Sequence, residues 1–244
     1  MNLYGLIGFP LTHSFSTTYF TEKFQKVNIA GSNYELFEIK EADLILEIIK
    51  NNPDLKGLNV TIPHKENVIR FLDEIDSAAK KIGAVNVIKI NNGKLKGYNS
   101  DYYGFRQSLI NFMGETKNIK ALILGTGGAA KAVKAALEDL TIPYKFVSRK
   151  KEKDNFSYND LNENILSEYK LIINTSPLGM YPKTDAFPEI PYQYIGPGHF
   201  LFDLVYNPEE TTFMKKGAEK GARTLNGLEM LHLQAEKAWE IWNS

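Results

Sequence analysis

A chain of 244 residues with 43% hydrophobic and 24% charged side chains has the composition of an ordinary globular protein, folded as one large domain or two smaller ones. Its 29 basic and 29 acidic side chains cancel, so no overall field favours nucleic acid or a membrane surface, and any anion must be recognised locally. The absence of cysteine excludes disulfides and thiolate metal sites, and without a long apolar run we expect a soluble, cytoplasmic protein.

The first hundred residues alternate short apolar runs with segments of helical spacing. We predict strands at residues 3–8, 34–39, 57–61, 85–90 and 94–99. Helices are predicted at residues 16–27, 41–50 and 65–72, with another beginning at residue 101. The run Asn91-Asn92-Gly93 is typical of a hairpin turn between the last two strands. Strands that alternate with helices indicate a mainly parallel sheet.

A second set of alternating strands and helices begins near residue 120. Strands are predicted at residues 121–124, 144–148, 171–174 and 200–204. Helices are predicted at residues 128–140, 209–220 and 227–242, and residues 180–197 are interpreted as a loop. The expected fold is therefore α/β with two αβ domains joined by helices around a cleft. One domain would comprise residues 1–101 plus 226–244, and the other, of Rossmann type, residues 102–225.

A glycine-rich turn follows the predicted strand at residues 121–124 and precedes an Ala-rich helix. The turn comprises Gly125, Thr126, Gly127, Gly128, Ala129 and Ala130. Its first glycine allows a tight turn, its second lets the backbone approach a pyrophosphate, and a small residue at Ala130 lets the helix pack on the strand. A lone glycine pattern is weak evidence, but the strand–turn–helix context favours a dinucleotide site over a purely structural turn.

The end of the next predicted strand distinguishes two cofactors. An NAD-binding domain usually carries an acidic residue there, which accepts a hydrogen bond from the ribose 2′-hydroxyl. This chain has Ser148, Arg149, Lys150 and Lys151 instead. Most charge runs are simply solvated loops, but guanidinium and ammonium groups at this position would pair with a 2′-phosphate. We therefore predict NADP rather than NAD, with Arg149 as the strongest candidate contact.

Polar side chains also lie where the predicted strands of the first domain begin or end. Lys65 opens a segment at the carboxyl end of one strand, although a cation is electrostatically disfavoured at a helix N-terminus. Asn86 begins another strand, and Asp101 follows a third. Each residue also has a simple structural explanation. Lys65 could be a surface lysine, Asn86 could satisfy backbone hydrogen bonds, and Asp101 could be a helix N-cap. Their combination favours catalytic chemistry over those separate explanations.

Two serines near the N-terminus of the first predicted helix make a candidate anion site. In His13-Ser14-Phe15-Ser16 the hydroxyls of Ser14 and Ser16 lie two residues apart. Hydroxyl groups near a helix N-terminus are well suited to bind a carboxylate. The alternative is that Ser16 is a plain N-cap.

Taken together, these runs resemble the signature stretches of the shikimate dehydrogenase family, in order and over essentially the whole chain. The matching runs are residues 13–16, 59–65, 83–86, 99–101, 125–130, 174–180, 205–208 and 227–231, followed by Gln234. The stretch Asn59-Val60-Thr61-Ile62-Pro63-His64-Lys65 is highly specific, whereas the glycine turn alone is not. The chain departs from the family where Thr17 stands in place of a frequent Pro, Val87 in place of Thr, and Ser148 and Lys150 in place of Asn and Thr.

The resemblance implies reduction of 3-dehydroshikimate to shikimate by NADPH in aromatic amino-acid synthesis, with Lys65 and Asp101 as the catalytic pair. Substrate would be held by Ser14, Ser16, Thr61, Asn86, Asp101, Tyr206 and Gln234. The cofactor would be held by Gly125, Thr126, Gly127, Gly128 and Ala129, with Arg149 and Ser148 or Lys150 at the 2′-phosphate. Thr175, Met180, Leu204 and Gly227 would line the nicotinamide.

Three alternatives remain open at this point. They are an NAD-dependent quinate or shikimate dehydrogenase, a methylenetetrahydrofolate dehydrogenase, and a non-catalytic sensor of a carboxylated metabolite. We expect no metal, because His13, His64, His199 and His232 lie on different segments without ligand spacing. The expected partner is a small-molecule substrate, with neither nucleic acid nor membrane, in a monomer or a homodimer.

Overall fold

A computed structural model describes residues 2–11, 14–27, 29, 31–151 and 154–244. The chain divides into two compact units. Unit 1 runs to Asp101 and includes Gln234–Ser244, and unit 2 comprises Tyr102–Leu233. The sequence had predicted residues 226–233 in the first domain. They group with unit 2 instead, because the Glu229 carboxylate accepts hydrogen bonds from Ser108 and Asn111, and Met230 packs on the core of that unit.

Short helices alternate with strands in unit 1. In chain order its elements are β1 (Asn2–Gly8), α1 (Phe15–Lys26), β2 (Ser32–Glu38), α2 (Ile45–Asn51), β3 (Leu55–Val60), β4 (Glu74–Ile75), α3 (Ser77–Ile82), β5 (Val87–Asn91) and β6 (Lys94–Tyr98). Short 3-10 helices occupy Ala42–Leu44 and Asn67–Phe71. The helix α4 (Ser100–Met113) begins in unit 1 and continues into unit 2.

Unit 2 repeats the alternation. Its elements are β7 (Ala121–Leu124), α5 (Gly128–Asp139), β8 (Tyr144–Ser148), β9 (Phe156–Ser157), α6 (Glu163–Glu168), β10 (Leu171–Asn174), β11 (Phe200–Asp203), α7 (Thr212–Ala218) and β12 (Arg223–Leu225). Further 3-10 turns occupy Tyr158–Asp160 and Tyr192–Tyr194. The helix α8 (Leu228–Asn243) begins in unit 2 and ends in unit 1.

The described strands of unit 1 form one mixed sheet in the order β2-β1-β3-β5-β6-β4. The strand β1 pairs in parallel with both neighbours, whereas β5 pairs antiparallel with β3 and β6. At Gly57 on β3 a Cβ atom would lie 2.2 Å from the indole of Trp242, whose Nε1 donates to the Ile88 carbonyl. The close approach of α8 to this sheet therefore requires glycine at this position.

The sheet of unit 2 runs β12-β11-β10-β7-β8-β9 through the described residues, and each pair in it is parallel. Its central strands β7, β10 and β11 are buried along their whole length. Strands covered by helices on both faces read as continuous apolar runs, which is why the sequence located them accurately. The carboxyl ends of these strands carry the glycine turn, Asn174 and Asp203.

Some predictions about elements were wrong. Residues 65–72 form no α-helix, because the Lys65 carbonyl accepts a hydrogen bond from Val85 and only a 3-10 turn follows. Five further elements were not predicted from the sequence, and they span two to six residues: α3, α6, β4, β9 and β12. Such short elements carry too few residues to establish a hydrophobic period. Within the described ranges, no helix has the length and apolar character needed to span a bilayer.

Replacing Gly57 with Ala should destabilise unit 1 by about 1–3 kcal/mol, because the new methyl group must displace the Trp242 ring. Thermal unfolding followed by tryptophan fluorescence measures this, since Trp239 and Trp242 both belong to unit 1. Gly196→Ala is the matched control, because a Cβ there meets nothing within 4 Å. An unchanged unfolding midpoint in Gly57→Ala would show that α8 is not held closely against β3.

Candidate active site

An ammonium–carboxylate pair lies at the centre of the candidate site in unit 1. The Lys65 Nζ is 2.6 Å from Asp101 Oδ2, and the two side chains are 29% and 20% exposed. Lys65 follows β3, and Asp101 lies in the first turn of α4. The structure therefore brings together two residues that are 36 positions apart in the sequence. A half-buried pair is screened less by solvent than a surface pair.

Backbone hydrogen bonds fix the turn that carries Lys65. The backbone amide of His64 donates to Thr61, and the Lys65 carbonyl accepts from Val85. The His64 ring is 1% exposed, with its Nε2 2.7 Å from the Ile39 carbonyl. This burial explains why a histidine beside Lys65 has a structural role. It anchors the turn that carries the lysine.

A buried polar network orients Asp101 through the residue before it. The Ser100 amide donates to Asn86 Oδ1 at 2.6 Å, and Asn86 Nδ2 donates to Ser100 Oγ at 3.0 Å. The Ser100 hydroxyl in turn lies 3.4 Å from Gln234 Oε1. Burying polar groups is favourable only when they are hydrogen-bonded, and this reciprocal pairing meets that requirement. Three predicted site residues, Asn86, Asp101 and Gln234, therefore belong to one connected group.

The two serines differ in their roles. Ser14 is the N-cap of α1 and accepts a hydrogen bond from the Thr17 amide at 3.4 Å. Ser16 lies inside the first turn of that helix. The simple N-cap explanation thus applies to Ser14 and not to Ser16. His13, the first residue of the predicted run, lies outside the described residues.

In unit 2 the glycine turn has the backbone that the sequence predicted. Gly125 has a φ of +109°, which favours glycine, and a Cβ there would lie 2.9 Å from Thr175 Oγ1. Gly127 is the N-cap of α5 and has open space around its Cα. Ala130 is 1% exposed in the core. These features fit a dinucleotide, because backbone amides at the start of a 12-residue helix remain accessible to phosphate.

The three cations of the basic run after β8, Arg149, Lys150 and Lys151, are all exposed. Lys151 Nζ also forms an ion pair with Asp160 Oδ1 at 3.0 Å. Hydrogen bonds from the Ser157 amide, then from Lys151, lower the pKa of Asp160 to about 2. The Ser148 hydroxyl donates to the Lys150 carbonyl, which fixes the turn. Arg149 and Lys150 are therefore the cations best placed to meet a phosphate.

A second buried network, not predicted as functional, holds the loops that follow β10 and β11. Asp203 is fully buried and accepts hydrogen bonds from Asn174 at 2.9 Å, the Val205 amide at 3.0 Å and the Thr211 hydroxyl at 2.6 Å. Burial outweighs these three bonds and raises the pKa of Asp203 to about 6. Asn174 Oδ1 also accepts from the amide and hydroxyl of Ser176. The signal was available, since an acid within the apolar run at residues 200–205 requires buried partners.

The loops held by this network contain three of the four predicted nicotinamide residues, Thr175, Met180 and Leu204, while Gly227 follows β12. Thr175 donates through its hydroxyl to the Leu124 carbonyl at 2.8 Å, beside the glycine turn. Gly227 packs so closely on Leu204 that a Cβ would lie 2.2 Å from its carbonyl oxygen. Met180 and Tyr206 are 47% and 39% exposed. Tyr206, predicted to bind substrate, belongs to unit 2, whereas the other predicted substrate residues belong to unit 1.

Among the described residues, no three His, Asp or Glu side chains converge as a metal site would require.

Comparison with known proteins identifies close relatives. A family model described as the shikimate dehydrogenase substrate binding domain matches residues 6–88. The shikimate dehydrogenase (NADP(+)) of Clostridium beijerinckii is 44% identical, over 99% of this chain and 92% of the relative. A chorismate mutase/shikimate 5-dehydrogenase fusion protein from Clostridium acetobutylicum is 38% identical with a TM-score of 0.88, covering 100% of this chain and 92% of that one. Shikimate 5-dehydrogenase from Thermus thermophilus, solved with NADP(H) and shikimate, is 27% identical with a TM-score of 0.86 and covers 99% and 93%.

The raised pKa of Asp203 predicts a specific pH dependence of stability. The folded protein binds this proton up to a pH of about 6, whereas the unfolded chain releases it near the ordinary value of 3.8. The contribution of Asp203 to the free energy of unfolding is therefore greatest below 3.8 and falls as the pH rises to about 6. Urea unfolding followed by circular dichroism over that interval should show a flatter pH dependence in Asp203→Asn than in the native protein. Asp185→Asn, at an exposed site in the same unit, should keep the native dependence. Parallel curves for the native protein and Asp203→Asn would contradict this assignment.

Proposed function

This chain belongs to the shikimate dehydrogenase family, and we propose that Lys65 and Asp101 are the catalytic pair with which it interconverts 3-dehydroshikimate and shikimate. It is an NADP-dependent oxidoreductase that acts on a CH–OH group and serves aromatic amino-acid biosynthesis. The observation that supports the proposed pair most directly is the 2.6 Å contact between the two side chains. A non-catalytic sensor would not need this pair, so its presence favours an enzyme.

The chemistry required of the pair follows from the reaction. When bound, NADPH supplies the hydride, and the substrate's carbonyl oxygen then gains negative charge and needs a proton. The Lys65 ammonium stabilises that charge by electrostatic attraction. Asp101 orients the ammonium through the 2.6 Å contact. Because the two groups are in direct contact, the proton is assigned to the pair and not to either residue alone. In the reverse direction the pair accepts the proton of the substrate hydroxyl.

We propose one set of residues for the substrate carboxylate and another for its hydroxyl and ketone groups. The hydroxyls of Ser14 and Ser16, at the N-terminus of α1, hold the carboxylate. The ring hydroxyls and the ketone are held by Thr61, Asn86, Asp101 and Gln234, with Tyr206 as a further contact. This assignment is supported by the hydrogen bonds that join Asn86, Ser100 and Gln234 into one group. Unit 1 is accordingly the proposed substrate-binding domain.

Unit 2 is the proposed NADP-binding domain. The backbone from Gly125 to Ala129, with Thr126, Gly127 and Gly128 between, holds the pyrophosphate at the start of α5. Arg149, with Ser148 or Lys150, binds the 2′-phosphate. The nicotinamide is lined by Thr175, Met180, Leu204 and Gly227.

We further propose that the enzyme works in the cytoplasm as a monomer or homodimer. The lack of cysteine supports a reducing compartment.

The basic test of the function follows NADP reduction by absorbance with shikimate, with quinate and without substrate. Reduction that depends on shikimate is expected, and its absence in correctly folded protein would refute the proposed activity. Comparing quinate with shikimate then defines which polyol acids the enzyme accepts.

Lys65→Ala should lower kcat by about 10²- to 10⁴-fold while raising the KM for shikimate only modestly, because the lysine acts mainly on charge that develops during the reaction. Steady-state kinetics in both directions measure the two effects separately. The control is Lys56→Ala, which removes an exposed lysine from β3 and should leave kcat unchanged. Turnover close to that of the native enzyme in Lys65→Ala would remove this residue from the mechanism.

Arg149→Ala should raise the KM for NADP by about tenfold or more, since a charge-assisted bond to the 2′-phosphate is lost. The KM for NAD, which has no such phosphate, should remain unchanged. Lys151→Ala is the matched control, because its ammonium is already paired with Asp160 and its loss should matter less. Equal losses with NADP and NAD in Arg149→Ala would contradict a role in cofactor choice.

A further inference from the structure

We propose that Ser100 is a positioning residue that sets which atoms of two neighbouring side-chain amides are offered to the substrate, an inference that rests on the proposed function. Ser100 is the first residue of α4 and is fully buried, at 0% exposure. The two amides belong to Asn86 and Gln234, which are 3% and 8% exposed. All three residues lie in unit 1. The hydrogen bonds between them fix the direction of each amide, starting from the backbone of α4.

The orientation of Asn86 is set by a backbone amide. A backbone N–H can only donate, so the Asn86 atom that lies 2.6 Å from the Ser100 nitrogen is the oxygen, Oδ1. Its Nδ2 therefore forms the other arm of the amide and donates to the Ser100 hydroxyl at 3.0 Å. The backbone of Asn86 is held as well, because its N–H donates to the Tyr98 carbonyl and its carbonyl accepts from Val60. The second N–H of Nδ2 is thus the group that Asn86 can offer to a substrate oxygen.

The Ser100 hydroxyl extends this order to Gln234. A hydroxyl group has one proton, and because Ser100 Oγ already accepts from Asn86, that proton is left to be donated. It is donated to Gln234 Oε1 at 3.4 Å, the longest of the three contacts. Gln234 therefore turns its oxygen towards Ser100, and its Nε2, which carries two N–H donors, forms the other arm of the amide. The backbone N–H of Ser100 accordingly determines the direction of both amides.

A fixed amide direction matters for the substrate groups that these residues are proposed to hold. Each amide offers N–H donors, which suit the lone pairs of a ring hydroxyl or a ketone. An amide that is free to flip presents its oxygen part of the time, and binding must then select the correct arrangement. Ser100 makes that selection in the folded protein. The substrate displaces none of the three hydrogen bonds, because the donors offered to it take no part in them.

Ser100→Ala tests the proposal, because it removes the hydroxyl and retains the backbone N–H that anchors Asn86. The KM for shikimate should rise about three- to tenfold, as the loss of one neutral hydrogen bond predicts, with kcat within about twofold of the native value. The KM for NADP should not change. The control is Ser108→Ala, which removes another fully buried hydroxyl from α4, one that donates to Glu229 in unit 2. An unchanged KM for shikimate in Ser100→Ala, or an equal rise in both variants, would overturn the proposal.

Gln234→Glu provides a second measurement that leaves α4 intact. It keeps an acceptor for the Ser100 hydroxyl and replaces the Nε2 donors with an oxygen. If those donors hold the substrate, the KM for shikimate should rise at least as much as in Ser100→Ala. An unchanged KM would show that Gln234 offers no donor to the substrate and would reject the proposal.

A double-mutant cycle separates positioning from a general loss of structure. If the Ser100 hydroxyl acts through Gln234, Ser100→Ala should raise the KM for shikimate by less than about twofold in a chain that already carries Gln234→Ala. The same fold-change in both backgrounds would mean that the hydroxyl acts elsewhere, and the proposal would fail. Native enzyme that does not oxidise shikimate would refute the proposed function itself, whereas active native enzyme with an unaffected Ser100→Ala variant refutes only this inference.

Discussion

Buried polar groups at strand ends must find hydrogen-bond partners, and this constraint arranges the site-bearing loops of both units. In unit 1, Asn86 and Ser100 satisfy each other and thereby fix the residue that precedes Asp101. In unit 2, Asp203 and Asn174 hold the two loops that follow their strands. An unpaired buried donor or acceptor costs about 1–3 kcal/mol, so these loops have few alternative conformations. The same requirement that stabilises the fold therefore pre-organises the site.

The proposed catalytic pair has an intermediate degree of burial. Fully exposed ion pairs contribute little, because water and salt screen them, and fully buried pairs cost much desolvation. Lys65 and Asp101 lie between these limits, at 29% and 20% exposure. Their charges can thus affect each other and a bound ketone, while the lysine remains accessible to the substrate. The surrounding backbone, anchored by His64, holds the ammonium without further ionic partners being required.

The proposed anion sites are local features of a chain with no net charge. The helices α1 and α5, each 12 residues long, have groups suited to anions at their N-termini. These groups are serine hydroxyls on α1 and the backbone amides of the glycine turn on α5. The third set is the basic run after β8, where Lys151 is paired with Asp160 and Arg149 and Lys150 are the proposed contacts to the 2′-phosphate.

The sequence by itself determined the α/β class, the bounds of β7, β8 and β10, the glycine turn with its helix, and the residues that form the candidate pair. These features depend on local periodicity, backbone preference and short motifs, which nearby residues specify. It could not establish that Lys65 and Asp101 touch, that residues 226–233 group with unit 2, or that Asp203 organises the loops that follow β10 and β11. Those outcomes depend on partners far apart in the chain, and only the folded structure decides which buried donor meets which acceptor.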